Sequence, residues 1–218
     1  MKNQYAGDLH DYRKLGILRI LADFYKNKIG VVWMLTENDD RADGKHTNYL
    51  FNKKKYRGFD DELYDKLHQK FVVEEEFMLK NDRKVVQLQE ILNDLNKNKF
   101  VFFNTFKNIK DENIDLLFFD PDNGLGFDKS EKHLSWEKIE KYQNKDLLFV
   151  HFLGRNKTHT EQIEDKIDEI KQKFSDKQIL AIKAGNVAYF YIANSIDISQ
   201  IKEKIEKKFK ICHTSTKI

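Results

Sequence analysis

The sequence has one proline, one cysteine and nine glycines among its 218 residues. A lone cysteine, Cys212, excludes a disulfide within the chain and any cysteine-based metal site. With so little proline and glycine, no stretch reads as an interdomain linker, and no internal repeat or low-complexity tract stands out. Long apolar runs are missing too: segments such as LLFVHFLG are far too short to span a bilayer. The opening residues, MKNQYAGDLHDYRK, lack the apolar centre of a secretion signal. These absences predict a soluble, cytoplasmic protein with no membrane partner. Large net charge is absent as well. Lys and Arg number 39 against 36 Asp and Glu, a balance of +3, so any nucleic-acid contact must come from a local patch.

What is present is a core. Hydrophobic residues make up 40% and aromatics 13%, with 17 Phe, enough to bury a large apolar interior without staples. The length suits a single α/β domain over 1–218.

Hydrophobic periodicity sets out the elements. Residues 9–26 read as a helix, with Ile17, Ile20, Leu21 and Phe24 on one face. IGVVWML, 29–35, is a continuous apolar run, the pattern of a strand buried on both faces. A polar segment, 36–61, follows and reads as a long functional or flexible loop. Helices are expected over 61–70 and 83–97, strands over 100–106 and 115–120, a short helix near Ser135, and a strand over 147–152. Thr158 and Glu161 form a capping box that opens a further helix. QILAIK and VAYFYIA flank AGN as a hairpin, and a last helix carries Ile201, Ile205 and Phe209. Strands alternating with helices predict a three-layer, Rossmann-like α/β fold: a mostly parallel sheet closed by an antiparallel hairpin strand.

In a parallel sheet the strand carboxyl ends share one edge, and ligands bind outside it. Chemistry-bearing residues follow three of the predicted strands. Thr36, Glu37, Asn38, Asp39, Asp40 and Asp43-Gly44 follow the first; Asp120, Pro121, Asp122, Asn123 and Gly124 follow DLLFF; His151 and Arg155 come after LLFV. Pro121 sets its own φ and keeps Asp120 out of helical geometry, while Asn123-Gly124 favours positive φ. A rigid turn of this kind holds two carboxylates for a hard divalent cation or a general base. The alternative is a tight turn whose Asp side chains bond their own backbone.

Near the start, Asp8, Asp11 and Lys14 recur at helical spacing. Asp8 and Asp11 are candidate metal ligands beside Asp120 and Asp122. They are also ordinary residues for a helix cap and first turn. Gly7 leaves room for a phosphate at the helix start. ENDDRADGKH is acid-dense without EF-hand spacing. Between 48 and 59, Tyr49, Phe51, Tyr56 and Phe59 interleave with Lys53, Lys54, Lys55 and Arg57. These are the parts of a single-stranded nucleic-acid groove, or of a solvated loop with a few core anchors. Asn123, Lys14, Lys54 and Arg57 are candidate substrate contacts. Arg155 suits a phosphate or carboxylate, and His151 a proton or a metal.

The order of elements, with DLLFFDPDN at the end of a strand, resembles the class I methyltransferase fold. In that superfamily a [DNS]-P-P-[YFW] turn holds the target amine. Asp120-Pro121 matches its first half, and Asp122 and Asn123 stand where the second proline and the aromatic would be. The 29–35 strand runs into Thr36-Glu37-Asn38, where that family has a glycine-rich loop. This resemblance implies S-adenosylmethionine as cofactor and a nucleic-acid amine held by Asp120 and Asn123. GDLHDYRK, DPDNG and HFLGR are also similar to the blocks of a group of uncharacterised bacterial proteins.

From the residues themselves, the leading expectation is a hydrolase of the nuclease or phosphodiesterase type. It would act on a nucleotide or nucleic acid with Mg²⁺ or Mn²⁺, through Asp120, Asp122, His151 and Arg155. A nucleic-acid methyltransferase and a non-catalytic binding module on the same fold are the alternatives.

Overall fold

The apolar runs assemble into one seven-stranded sheet in a computed structural model, which describes residues 1–38, 46–74, 83–109, 113–126, 132–194 and 196–215. The strands are β1 (Lys28–Val32), β2 (Phe100–Phe103), β3 (Ile114–Phe119), β4 (Asp146–Phe152), β5 (Gln178–Ala184), β6 (Val187–Ala193) and β7 (Lys210–Ser215). Their order is β2-β1-β3-β4-β6-β5-β7. β1, β3 and β4 are parallel. β6 runs antiparallel to β4 and β5, and β7 antiparallel to β5. The result is a mixed-sheet, Rossmann-like α/β fold. The hairpin is as expected: Gly185, at φ 74°, and Asn186 connect the paired Ala184 and Val187. β7, past the last helix, is an addition that periodicity did not reveal.

The chain divides into two compact units, one made of 1–23 and 35–100, the other of 24–34 and 101–218. The second unit holds the sheet with α5 (Trp136–Glu140), α6 (His159–Lys173) and α7 (Ile198–Glu206). Side chains alternate across the strands. Leu117, Phe119, Leu147, Phe149, Ala181 and Phe190 form one apolar layer, and α6 covers it with Ile163, Ile167, Ile170 and Phe174. The α6 start is the predicted capping box, Thr158 Oγ1 accepting from Glu161 N while Glu161 accepts from Thr158 N. α7 packs against β5 and β7 with Ile198, Ile201 and Ile205 buried.

The first unit is helical: α1 (Leu9–Ala22), α2 (Lys53–Tyr56), α3 (Asp61–His68) and α4 (Val85–Asn96), with short 3-10 turns at Asn3–Tyr5, Asn48–Phe51 and Arg57–Phe59. α1 is sealed on most sides, with Leu15, Ile17, Leu18 and Leu21 fully buried, and it stops at Ala22 rather than running to 26. The described part of the 36–61 segment is more ordered than a loop. Tyr12 of α1 stacks on Tyr49 with centroids 5.4 Å apart and meets Phe59 edge-on at 5.2 Å. The Tyr12 hydroxyl donates to Tyr56 O at 2.8 Å. These contacts draw 48–60 onto α1, and Asn52 and Asp60 cap the short helices that result. Beyond His68 the α3 helix widens into a π turn, Gln69–Val73.

Candidate active site

In the second unit the parallel register sets Val32 beside Phe119, and Phe119 beside Phe149. The residues that follow these strands therefore share one edge of the sheet. Asp120 N donates to Val32 O at 3.0 Å, so the strand pairing continues one step into the acidic turn. Asp120 is 3% exposed, Asp122 is half-buried, and Asn123 is exposed. Asn123 N donates to Lys132 O, and Leu134 N to Gly124 O, which ties the turn to the returning chain.

Gly124 explains why the turn ends as it does. Its φ is +82°, which favours glycine, and a Cβ there would stand 2.9 Å from His151 Nδ1 and 3.0 Å from His151 Cα. The acidic turn is thus seated directly on His151, on the neighbouring strand β4. The His151 ring meets Phe190 edge-on at 6.2 Å, and Nδ1 is buried without a hydrogen-bond partner. Burial, with Lys166 adding to it, pushes the imidazole down to about 4, so it is neutral at pH 7. Arg155, four residues on, is exposed, and its guanidinium makes no hydrogen bond or ion pair among the described residues.

The first unit concentrates buried charge at the start of α1. Asp8, Asp11, Lys14 and Arg83 are 6%, 1%, 4% and 5% exposed. Asp8 is an N-cap, Oδ1 accepting from His10 N and Asp11 N. Asp11 accepts from Gly7 N at 2.8 Å and pairs with Lys14 Nζ at 2.6 Å. Arg83 donates to Ala6 O. Burial raises Asp8 above the usual carboxylate range, against the pull of Lys14. His10 is pushed down to about 4 by burial and by Lys14 and Arg13. Gly7, at φ +80°, makes room for a protein ring rather than a phosphate: a Cβ would lie 2.6 Å from Phe71. The π turn after α3 is the segment that delivers Phe71.

The 48–59 segment spends most of its aromatics internally. Tyr49 is 3% exposed and donates to Gly7 O, and Phe59 fills the space over Gly16. Phe51 is 53% exposed. Arg57 forks onto Asp65, with Nε to Oδ1 at 2.9 Å and Nη2 to Oδ2 at 2.6 Å. Lys54 is exposed. Asp39, Asp40 and the Asp43-Gly44 pair lie outside the described residues. Among the described residues, no three His, Cys, Asp or Glu side chains gather closely enough to hold a metal, and no helix is long and apolar enough to cross a membrane.

The opposite edge of the second unit holds a polar cavity that sequence reasoning did not anticipate. It measures about 770 Å³ and is lined by Tyr25, Asn27, Asp115, Lys145, Asp146 and Asn194, among others. Of the lining residues, Asp146 places Oδ2 2.6 Å from the Tyr25 hydroxyl and 3.1 Å from the hydroxyl of Tyr191, and its Oδ1 accepts from Asn194 N at 2.6 Å. The two phenols are themselves 2.6 Å apart. Burial and the adjoining Asp146 raise both above the ordinary phenol range. An Asp at the head of LLFV carries no local signal for this network, because its partners lie 121 and 45 positions away.

No protein-family model matches the chain, and no curated protein matches it in sequence.

Proposed function

We propose that Asp120, Asp122, Asn123, His151 and Arg155 form the centre of a divalent-metal-dependent hydrolase acting on a phosphate ester of a nucleotide or nucleic acid. The observation that carries this reading is the seating of the acidic turn on His151 through Gly124. A turn that served only to reverse the chain would not need a buried carboxylate, a positive-φ glycine and an imidazole fixed together. Mg²⁺ keeps several waters and takes one or two carboxylates plus substrate phosphate, so Asp120 and Asp122 are a sufficient protein contribution. Once bound, the ion would polarise the phosphoryl oxygen and lower the pKa of a water. Asp120, held after β3, fixes the position of that charge. Arg155 offers a planar fork to the phosphoryl oxygens, and Asn123 offers an amide at the rim.

The test is a panel of nucleotides and single- and double-stranded nucleic acids with Mg²⁺ or Mn²⁺. Turnover by the wild type that falls at least a hundredfold in Asp120→Ala is expected. An inert wild type overturns the reading. Saturable S-adenosylmethionine binding by calorimetry would replace it with methyl transfer.

A further inference from the structure

His151 is open to three roles, as metal ligand, general base or hydrogen-bond donor, and the environment of its two nitrogens separates them. Nδ1 is sealed against Gly124 and has no hydrogen-bond partner, while the residue as a whole keeps part of its surface exposed. In a neutral imidazole one nitrogen carries the proton and the other a lone pair. A buried N–H without an acceptor loses its full hydration, and orphaned N–H groups are rarer in proteins than under-satisfied acceptors. The proton therefore belongs on Nε2, and the bare lone pair of Nδ1 faces the glycine. A histidine that binds metal through Nε2 almost always donates Nδ1–H to a carboxylate, carbonyl or water. A histidine acting as base through Nε2 is oriented by the same kind of bond. His151 Nδ1 has no such acceptor among the described residues.

We propose that His151 is a neutral hydrogen-bond donor, presenting Nε2–H to an anionic oxygen of the substrate, and is neither a metal ligand nor the general base. This rests on the phosphate-ester reading above for the identity of the oxygen. The tautomer itself stands on the geometry of Gly124 and His151 alone. On this assignment the substrate offers a phosphoryl or carboxylate oxygen at the carboxyl edge of β4. Gly124 is a positioning residue, since any side chain there would push on Nδ1.

Long-range ¹H–¹⁵N correlation spectra of the full chain at pH 7.5 test the tautomer directly. A protonated Nε2 and an unprotonated Nδ1 are expected for His151, and a protonated Nδ1 overturns the proposal whatever the enzyme's activity. Titration with inorganic phosphate tests the oxygen. The Nε2–H proton should shift on binding, and phosphate that binds without moving it overturns the donor role. His151→Gln, which keeps an N–H near the Nε2 position, should bind phosphate within about threefold of wild type, while His151→Ala should lose about tenfold or more. Equal loss in both variants likewise counts against the donor.

Discussion

Gly124 and His151 touch so closely that a single methyl on the glycine would overlap the imidazole, at 2.9 Å from Nδ1 and 3.0 Å from Cα. The contact joins the end of the acidic turn to the neighbouring strand, so the geometry of Asp120 and Asp122 depends on it. Gly124→Ala meets a positive φ and an occupied space together. It should destabilise the protein by about 1–3 kcal/mol in urea unfolding and lower any turnover further than that loss of stability explains.

The Asp11–Lys14 pair is buried on both sides, at 1% and 6% side-chain exposure. Removing one partner takes the opposite charge from the other in a dry site. Lys14→Met should cost about 3–5 kcal/mol, and Asp11→Asn combined with Lys14→Met should recover part of it. Chemical denaturation of the two single variants and the double variant forms the cycle that checks this. Strict additivity would mean that the ion pair contributes nothing.

His10 and His151 are both held down to about 4, below the ordinary 6.5, by burial. Above pH 6.5 both are neutral in the folded and unfolded chain, and stability is unaffected. As the pH falls below 6.5 the unfolded chain takes up protons that the folded chain refuses, so stability declines until about pH 4. Each residue contributes on the order of 3 kcal/mol to that decline. Asp8 acts in the opposite sense: its raised value lets the folded chain bind a proton first, which favours folding on acidification. Urea midpoints measured from pH 7.5 to 4.5 should fall, and His151→Gln should flatten part of the slope.

Two phenols and a backbone N–H converge on one carboxylate at Asp146. Tyr25→Phe leaves Tyr191 with its acceptor and should cost about 1 kcal/mol. Asp146→Ala leaves three donors without it and should cost about 3 kcal/mol or more. Thermal melts of the two variants distinguish them. Similar losses would show that the carboxylate is not the centre of the network.

Arg155 is exposed and makes no hydrogen bond or ion pair among the described residues, so Arg155→Ala should leave the melting temperature unchanged. If phosphate binds there, its affinity should fall about tenfold or more. A shifted melting temperature with unchanged affinity would place Arg155 in the structure rather than the site.

Features with a local or periodic signature are legible in the sequence. The Thr158–Glu161 capping box, the two-residue Gly185-Asn186 connection and the buried runs of β3 and β4 follow from residues near one another in sequence. So does the acidic turn, because Pro121 and Gly124 constrain the backbone wherever they stand. Contacts between distant segments left no such trace. Nothing around Gly7 announces Phe71, and nothing around Tyr25 announces Asp146. Tyr49 and Phe59 look like stacking surfaces for bases until Tyr12 and Gly16 claim them. The β7 segment, KICHTS, is short and carries too little alternation to declare itself before β5 offers an edge.

The first unit is interrupted by residues 24–34, which belong to the second. During synthesis β1 therefore leaves the ribosome well before β3 exists to pair with it, and the helices of 35–100 are made in the interval. No single cut of the polypeptide separates the two units. A cut after residue 100 leaves the first unit carrying β1 and the second without it, so the two halves of the molecule have to be dissected by point substitution.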